Sequence, residues 1–512
     1  MRLLTRIKEI FNRARKPGFK WDQIWKDAIR NDIGDESGFV WTDLHYENLY
    51  RFIFPEDSDY ATFMVDKDAY KSWKDVLGEI SVQQNVRYGE PIKDVLIEFG
   101  NDDFSDWGPL KFPANSENIL LSGYLSEGTH VFHQEKKTIL DSIALNWCRN
   151  IGVFNISFSS GTDEKIYGDG TIVNGIHTSK IVDCSRIFIK ECEYTNMTSG
   201  AAVRVHNCSD IFISDNVFYD KFFVPGDIGG VAVHADVDNA CWNVRIENNS
   251  FRNLTDAIGW TTYGDESQHA TGSLMKCTFN ANHVWVTPEY YRITEARESI
   301  NDSRLTSEQA CAEDGVDIKS GAFTDITSDY YNEVAYNVLH GFRPTNQACG
   351  GSGSAGSGIV LHRMASRINI HDNIIFDTTG GIRLYGKSKE DEDLQFINVE
   401  NNLINQAYQF GNRADRDTSP YGVGIAIGYV DNTIRVAYNT IVEAYRAFTI
   451  HDKSEAKLED NVTSMVVYQT GYHLKTEGIV DAELKRLKST DIRLNRHVDP
   501  FGTSTYRRVL FT

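Results

Sequence analysis

The segment Glu313-Asp314-Gly315-Val316-Asp317-Ile318-Lys319 sets three carboxylates and a lysine within seven residues. Val316 and Ile318 alternate with Asp317 and Lys319, the period of a strand with one buried face. On that reading Asp317 and Lys319 project together, and Glu313 and Asp314 stand on the turn just before. Carboxylates this close repel unless a cation or a basic group compensates them. Such a cluster suits metal binding or acid–base chemistry; the bland alternative is a hydrated surface group.

What must position this segment is a repeat. DIFISDNVF (210–218), NVRIENNSF (243–251), NEVAYNVL (332–339), RINIHDNII (367–375), FINVENNLI (396–404) and TIRVAYNTI (433–441) each carry an apolar residue three places before an asparagine. The pairs are Ile213/Asn216, Ile246/Asn249, Val334/Asn337, Ile370/Asn373, Val399/Asn402 and Val436/Asn439, and Leu458/Asn461 continues the row. One solenoid turn per repeat stacks like residues on like. Asparagine tolerates a left-handed turn, and its amide can bond the asparagine of the next turn. A β-propeller would need hairpin signals, and a leucine-rich repeat would need leucines where this chain has Val, Ile and Asn.

A second strand aligns in every turn. Its inward pairs are Val203/Val205, Val231/Val233, Ile258/Trp260, Val316/Ile318, Ile359/Leu361, Ile382/Leu384, Ile425/Ile427 and Phe448/Ile450. One outward column reads Arg204, Ala232, Gly259, Asp317, Val360, Arg383, Ala426, Thr449. The next reads His206, His234, Thr261, Lys319, His362, Tyr385, Gly428, His451, and holds four of the chain's 14 histidines. A line of His and Tyr suits a groove that grips a ligand by hydrogen bonding and stacking; the alternative is side chains tolerated on an exposed sheet.

The stacked apolar-x-apolar-x-x-Asn-x-apolar pattern resembles the right-handed parallel β-helix of the pectate-lyase-like superfamily, which includes polysaccharide lyases, glycoside hydrolases, epimerases and bacteriophage tailspikes. The resemblance covers roughly 93–470. It implies an all-β solenoid with a small mixed or helical N-terminal region. Locally, Glu313-Asp314-Gly315-Val316-Asp317 is similar to the calcium motif of family-nine pectate lyases, with one Asp replaced by Glu, and Asp256 fits the ligand from the preceding turn. The 262–312 insertion between those turns is a departure. The resemblance implies a Ca²⁺ ion on Asp256, Glu313, Asp314 and Asp317, and β-elimination on an acidic polysaccharide. The base would be Lys319 or His362, although three neighbouring carboxylates would raise the lysine's pKa. Arg383 would grip a substrate carboxylate, and His206, His234, Arg363 and Tyr385 would line the groove. Hydrolysis needs two flanking carboxyls, which Asp317 with Asp314 or Glu313 would supply, but polygalacturonase-type Asn-Thr-Asp and Gly-His-Gly signatures are absent.

The ends differ from the middle. Residues 1–16 pattern as a basic amphipathic helix, with Leu3, Ile7, Ile10 and Phe11 on one face; capping, docking on a partner protein and lying on a membrane are all open to it. Residues 1–92 read as a capping or docking region, with Lys71–Ile80 helical, and 471–512 as a locally basic cap on the solenoid end. The Gly/Ser-rich 346–358 is a lid or a tolerated insertion. A formal charge of -20 argues against nonspecific nucleic-acid binding. No apolar run is long enough for a transmembrane helix, and no secretory signal opens the chain. Among the eight cysteines no CxxC occurs, and Cys184 and Cys208 read as buried ladder residues or a disulfide. With no signal, a tailspike-like virion protein is the favoured context, attached to other tail proteins through its N-terminal region and capable of homotrimerisation. A secreted protein, a non-catalytic carbohydrate-binding or structural spike, and a glycoside hydrolase are the alternatives.

Overall fold

The computed structural model describes residues 53–54, 59–123, 138–159, 179–195, 201–219, 229–236, 239–254, 256–262, 273–287, 313–319, 321, 331–342, 356–362, 365–386, 394–407, 422–430, 433–444, 446–450, 456–464, 468–471, 491–493 and 496–497. The chain divides into two units, Met1–Tyr50 and Arg51–Thr512, and the described residues all belong to the second. The basic segment 1–16 lies outside them.

Among the described residues three parallel sheets of 15, 12 and 12 strands wind into a parallel β-helix. One turn supplies a strand to each. Ser209–Ser214 lies in the first sheet, Val217–Tyr219 in the second and Val231–Ala235 in the third. The repeat is parallel because each turn returns to the same sheet one rung, about 4.8 Å, further along. The coil runs wider than the expected 93–470. It begins at Ala61–Val65, paired with Lys93–Phe99. Beyond residue 471, Asp491–Arg493 still pairs with Lys457–Glu459, and Arg496–His497 with Val462–Ser464.

The helix expected near Lys71–Ile80 spans Trp73–Gln83, with the Ser72 side chain accepting from the Asp75 N–H at its start. Its Trp73, Val76, Leu77 and Ile80 join the core beside Val65, Val95 and Phe99. That apolar face covers the first turns, whose core would otherwise meet water.

Asparagines fill the corner between the first and second sheets. Asn216, Asn249, Asn282, Asn337, Asn373, Asn402 and Asn439 each give a side-chain N–H to the Oδ1 of the asparagine one turn on, and the row ends at Asn461. Each amide also donates to a backbone carbonyl, as Asn337 does to Phe279 at 2.8 Å. These side chains are buried, at 0–2% exposure, and they satisfy corner groups that no sheet can reach. The left-handed backbone expected of the asparagines belongs instead to the residue before each one. Asp215, Asn248, Ala281, Tyr336, Asp372, Asn401, Tyr438 and Asp460 have φ between 49° and 59°.

The opposite corner, between the third and first sheets, holds a row of thiols. The Cys148 N–H points at Cys184 Sγ (3.3 Å) and the Cys184 N–H at Cys208 Sγ (3.4 Å). All six described cysteines are free and buried, so no disulfide joins Cys184 to Cys208.

Candidate functional site

The third sheet carries the acidic segment, and its register matches the alignment of second strands. Asp256 lies opposite Asp314, and Gly259 opposite Asp317. Asp314 then faces Ser357, and Asp317 faces Val360. The alternating apolar residues fix this register, because a slip of one would turn Val316 and Ile318 out of the core. Both are 0% exposed. Glycine at 315 lets the layers close: a Cβ there would stand 2.6 Å from the Gly358 carbonyl oxygen and 2.6 Å from Leu339 Cδ2.

The strand Asp314–Ile318 is buried on both faces. Most of the first outward column is enclosed: Ala232, Asp317, Val360, Arg383, Ala426 and Thr449 are all 0–8% exposed, while Arg204 at its start is half-buried. This corrects the expectation for Arg383. At 1% exposure its guanidinium does not reach a glycan, and it folds back over Gly380, where a Cβ would meet Arg383 Nε at 2.5 Å.

One residue further along the strands the sheet opens. Lys319 Nζ, on a side chain 43% exposed, lies 2.5 Å from Asp317 Oδ2. His362 Nε2, from the next turn, lies 3.4 Å from Asp317 Oδ1. That Oδ1 is buried and accepts no hydrogen bond from a described residue. Burial works to neutralise Lys319, but the Asp317 charge and hydrogen bond, with Asp256 and Glu313 behind, outweigh it and raise its pKa. Lys319 is therefore a fixed cation at neutral pH, as its carboxylate neighbours imply, and not a base.

The other carboxyls face inward to the backbone. Asp256 Oδ1 accepts the Asp314 N–H at 3.1 Å, and Asp314 Oδ1 accepts the Ser357 N–H at 2.8 Å. Burial first, then neighbouring carboxylates, pushes both acids well above the usual range. Of the four expected calcium ligands, Asp256 and Asp314 thus each place one oxygen on a backbone N–H, and Asp317 meets Lys319. Among the described residues no group of three or more His, Cys, Asp or Glu is placed to hold a metal ion.

The remaining groove residues divide. His206, His234 and Thr261 stand in register on successive turns, and His362 faces Tyr385. Lys319 and His362 converge on Asp317, but His206 is three turns below Lys319, roughly 14 Å away. There it meets Asp236, 2.8 Å from Nε2 to Oδ1. Burial raises the Asp236 carboxyl, but bonds from Asn207 and His206 bring it below its ordinary value. Arg363 lies outside the described residues.

Two histidine clusters on the other sheets escaped sequence reasoning. His371 sits between Glu333 and Asp372 on the first sheet. His283 and His340 touch on the second. A signal for the latter lay three residues after the asparagines, where successive turns read Tyr219, Arg252, Trp285, His340 and Phe376, all planar groups.

No family model matches this chain, and no curated protein does. Among solved structures it is similar to a GH136 lacto-N-biosidase from Eubacterium ramulus, with 10% identity over 78% of this chain and 62% of that one, at a TM-score of 0.39. The chain therefore spans less than two thirds of that enzyme's length. It is also similar to a mannuronic acid specific polysaccharide family 6 lyase from human gut microbiota, with 11% identity over 86% and 91% of the two chains and a TM-score of 0.39. A third is a surface adhesin of Streptococcus pneumoniae, with 12% identity, 76% and 80% coverage and a TM-score of 0.33. Among the described residues no helix is long and apolar enough to cross a membrane.

Proposed function

We propose that this β-helix acts on an acidic polysaccharide by β-elimination at the rim of its third sheet. The observation that carries the reading is the shared carboxylate of Asp317, held on one oxygen by Lys319 and facing His362 with the other. Lys319, kept cationic, neutralises the uronate carboxylate and so acidifies the neighbouring C–H. His362 takes that proton. The electron pair forms the carbon–carbon double bond, the glycosidic C–O bond breaks, and the leaving oxygen takes a proton from solvent. Asp317 orients both the lysine and the histidine. Calcium has no step in this scheme.

The test is ultraviolet absorbance of the unsaturated product across a panel of uronic-acid polymers. We expect a rise that falls by about 100-fold or more in Asp317→Asn and His362→Gln, with calcium and chelator indifferent. Reducing ends released from a neutral glycan, without the absorbance, would replace elimination with hydrolysis. Silence in both assays would leave a binding or structural spike. The tailspike context rests on the coil and the basic N-terminal sequence. It predicts the protein in purified virus particles and a trimer by solution mass measurement; export by a cell's own signal would refute it.

A further inference from the structure

The bend between the first and second sheets places one residue per turn in the left-handed conformation, which Gly, Asn and Asp adopt at least cost. On four consecutive turns that residue is Tyr336, Asp372, Asn401 and Tyr438. Each gives its N–H to a carbonyl of the turn after it, as Tyr438 does to Glu459 at 3.1 Å. Two of the four are therefore tyrosines, at φ 59° and 57°. A Cβ strains this conformation, and Tyr438 also leaves 47% of its surface open. The fold does not require an aromatic here, since other turns bend at Asp215, Asn248 and Ala281.

We propose that this corner binds a neutral oligosaccharide lying along the coil axis, with Tyr336 and Tyr438 as platforms for its sugar rings. A pyranose offers C–H faces that stack on an aromatic ring, and hydroxyls that need donors and acceptors. The corner supplies both. Tyr336 and Tyr438 stand three turns apart, about 14 Å. Between them lie the Asp372 carboxylate and the exposed Asn401 amide. His371 occupies Asp372 Oδ2 at 2.8 Å, which leaves Oδ1 to accept from a hydroxyl. Each turn advances about 4.8 Å, close to the length of one pyranose, so successive sugars keep step with successive corner residues.

Both rings are steadied from the sheet side. The Arg435 guanidinium lies 5.3 Å from the Tyr438 centroid and is itself held by Glu400 and Glu459. His371 meets the Tyr336 ring at 86° and 5.4 Å, and is held by Glu333 and Asp372. Rings fixed before binding lose little freedom on contact. The charge selects the ligand: carboxylates outnumber the two cations along this face, so a uronate would be repelled. The rim of the third sheet, with its Lys319, has the opposite preference, and the corner site stands independently of the elimination proposed there.

The experiment titrates the full chain by calorimetry with cellohexaose, maltohexaose, mannohexaose and chitohexaose, and with hexagalacturonate as the acidic probe. We expect at least one neutral hexaose to bind, without displacement by hexagalacturonate. The matching disaccharide reaches one platform only and should bind about tenfold more weakly or worse. Tyr336→Ala and Tyr438→Ala should each weaken the hexaose by about tenfold or more, while Tyr438→Phe keeps it. Tyr438→Gly removes the ring and relieves the left-handed strain, so its loss of binding reports the platform and not misfolding. No neutral hexaose bound by folded wild type, unaltered binding in Tyr438→Gly, or displacement by hexagalacturonate would each overturn the proposal. Should Tyr336→Ala fail to fold, Tyr438→Gly decides alone.

Discussion

His371 on the first sheet and His283 on the second, two turns earlier, belong to the same coil, and their imidazoles are driven in opposite directions. Burial opposes protonation of His371, but hydrogen bonds and charge from Asp372 and Glu333 overcome it and raise the pKa to about 9. His283 is driven the other way by burial, and falls to about 3. The difference extends along both faces. On the first sheet Arg435 reaches Glu400 and Glu459, and Lys190 meets Asp215. On the second the row is aromatic, and its Arg252 rests on a ring. One scaffold thus supports a charge network and a desolvated stack, because each outward position is free to vary while the inward ones are not. The chemistry of a turn is set by its neighbours above and below.

The largest effect should come from cutting what the two faces share. Asn337 joins the strands Asn332–Ala335 and Val338–His340. Asn337→Ala would strip the Asn282 N–H of its acceptor and the Phe279 carbonyl of its donor, both at the buried corner. Each lost partner costs about 1–3 kcal/mol, so a loss of roughly 3 kcal/mol or more in urea unfolding is expected. A loss below about 1 kcal/mol would mean that the two faces hold without the corner.

The second prediction separates the faces by pH. His371 binds its proton more tightly folded than unfolded. Its contribution is complete below the unfolded value of 6.5 and is lost as pH rises through about 9. We expect about 2 kcal/mol to disappear over that window, after allowing for solvent screening, and His371→Gln to abolish the dependence. His283 has the reverse sign. Its folded pKa is depressed, so its contribution is present above 6.5 and is lost as pH falls toward about 3. Urea midpoints measured against pH for wild type, His371→Gln and His283→Gln would test both arms. A wild-type curve flat on the alkaline side would remove the charge clamp from the first sheet.

The smallest effect concerns the bend between the faces. Ala281 turns the chain there at φ 57°, a conformation that strains any residue with a Cβ. Ala281→Gly should raise stability by about 0.5 kcal/mol, the relief of strain exceeding the added freedom of the unfolded chain. A fall would show that the methyl packs at the corner.

Much of this was legible in the residues. The asparagine row and the pairs from Val203/Val205 to Phe448/Ile450 gave the coil and its register, since alternation admits one phase only. They also placed Asp317 with Lys319 and His362. Three things were hidden. Outward on a strand was equated with exposed, which fails for Arg383 and Val360. The left-handed corner position is filled by types as different as Asp215, Ala281 and Tyr438, so no composition marks it. The second-sheet strands are often three residues long, as at His283–Trp285, too short for alternation to disclose which side chains share a face.

The return of each turn to the same three sheets makes the length of this molecule countable. Removing residues 374–402 would take out Ile374–Thr378, Gly380–Tyr385 and Gln395–Glu400, one strand from each sheet. Asn373 would then run directly into Leu403, and every inward side chain would keep its phase. A cut one residue longer or shorter would invert it. The coil can therefore be shortened or extended in whole turns, by insertion or loss of a single contiguous segment, with the coil's own length changing by one rung each time.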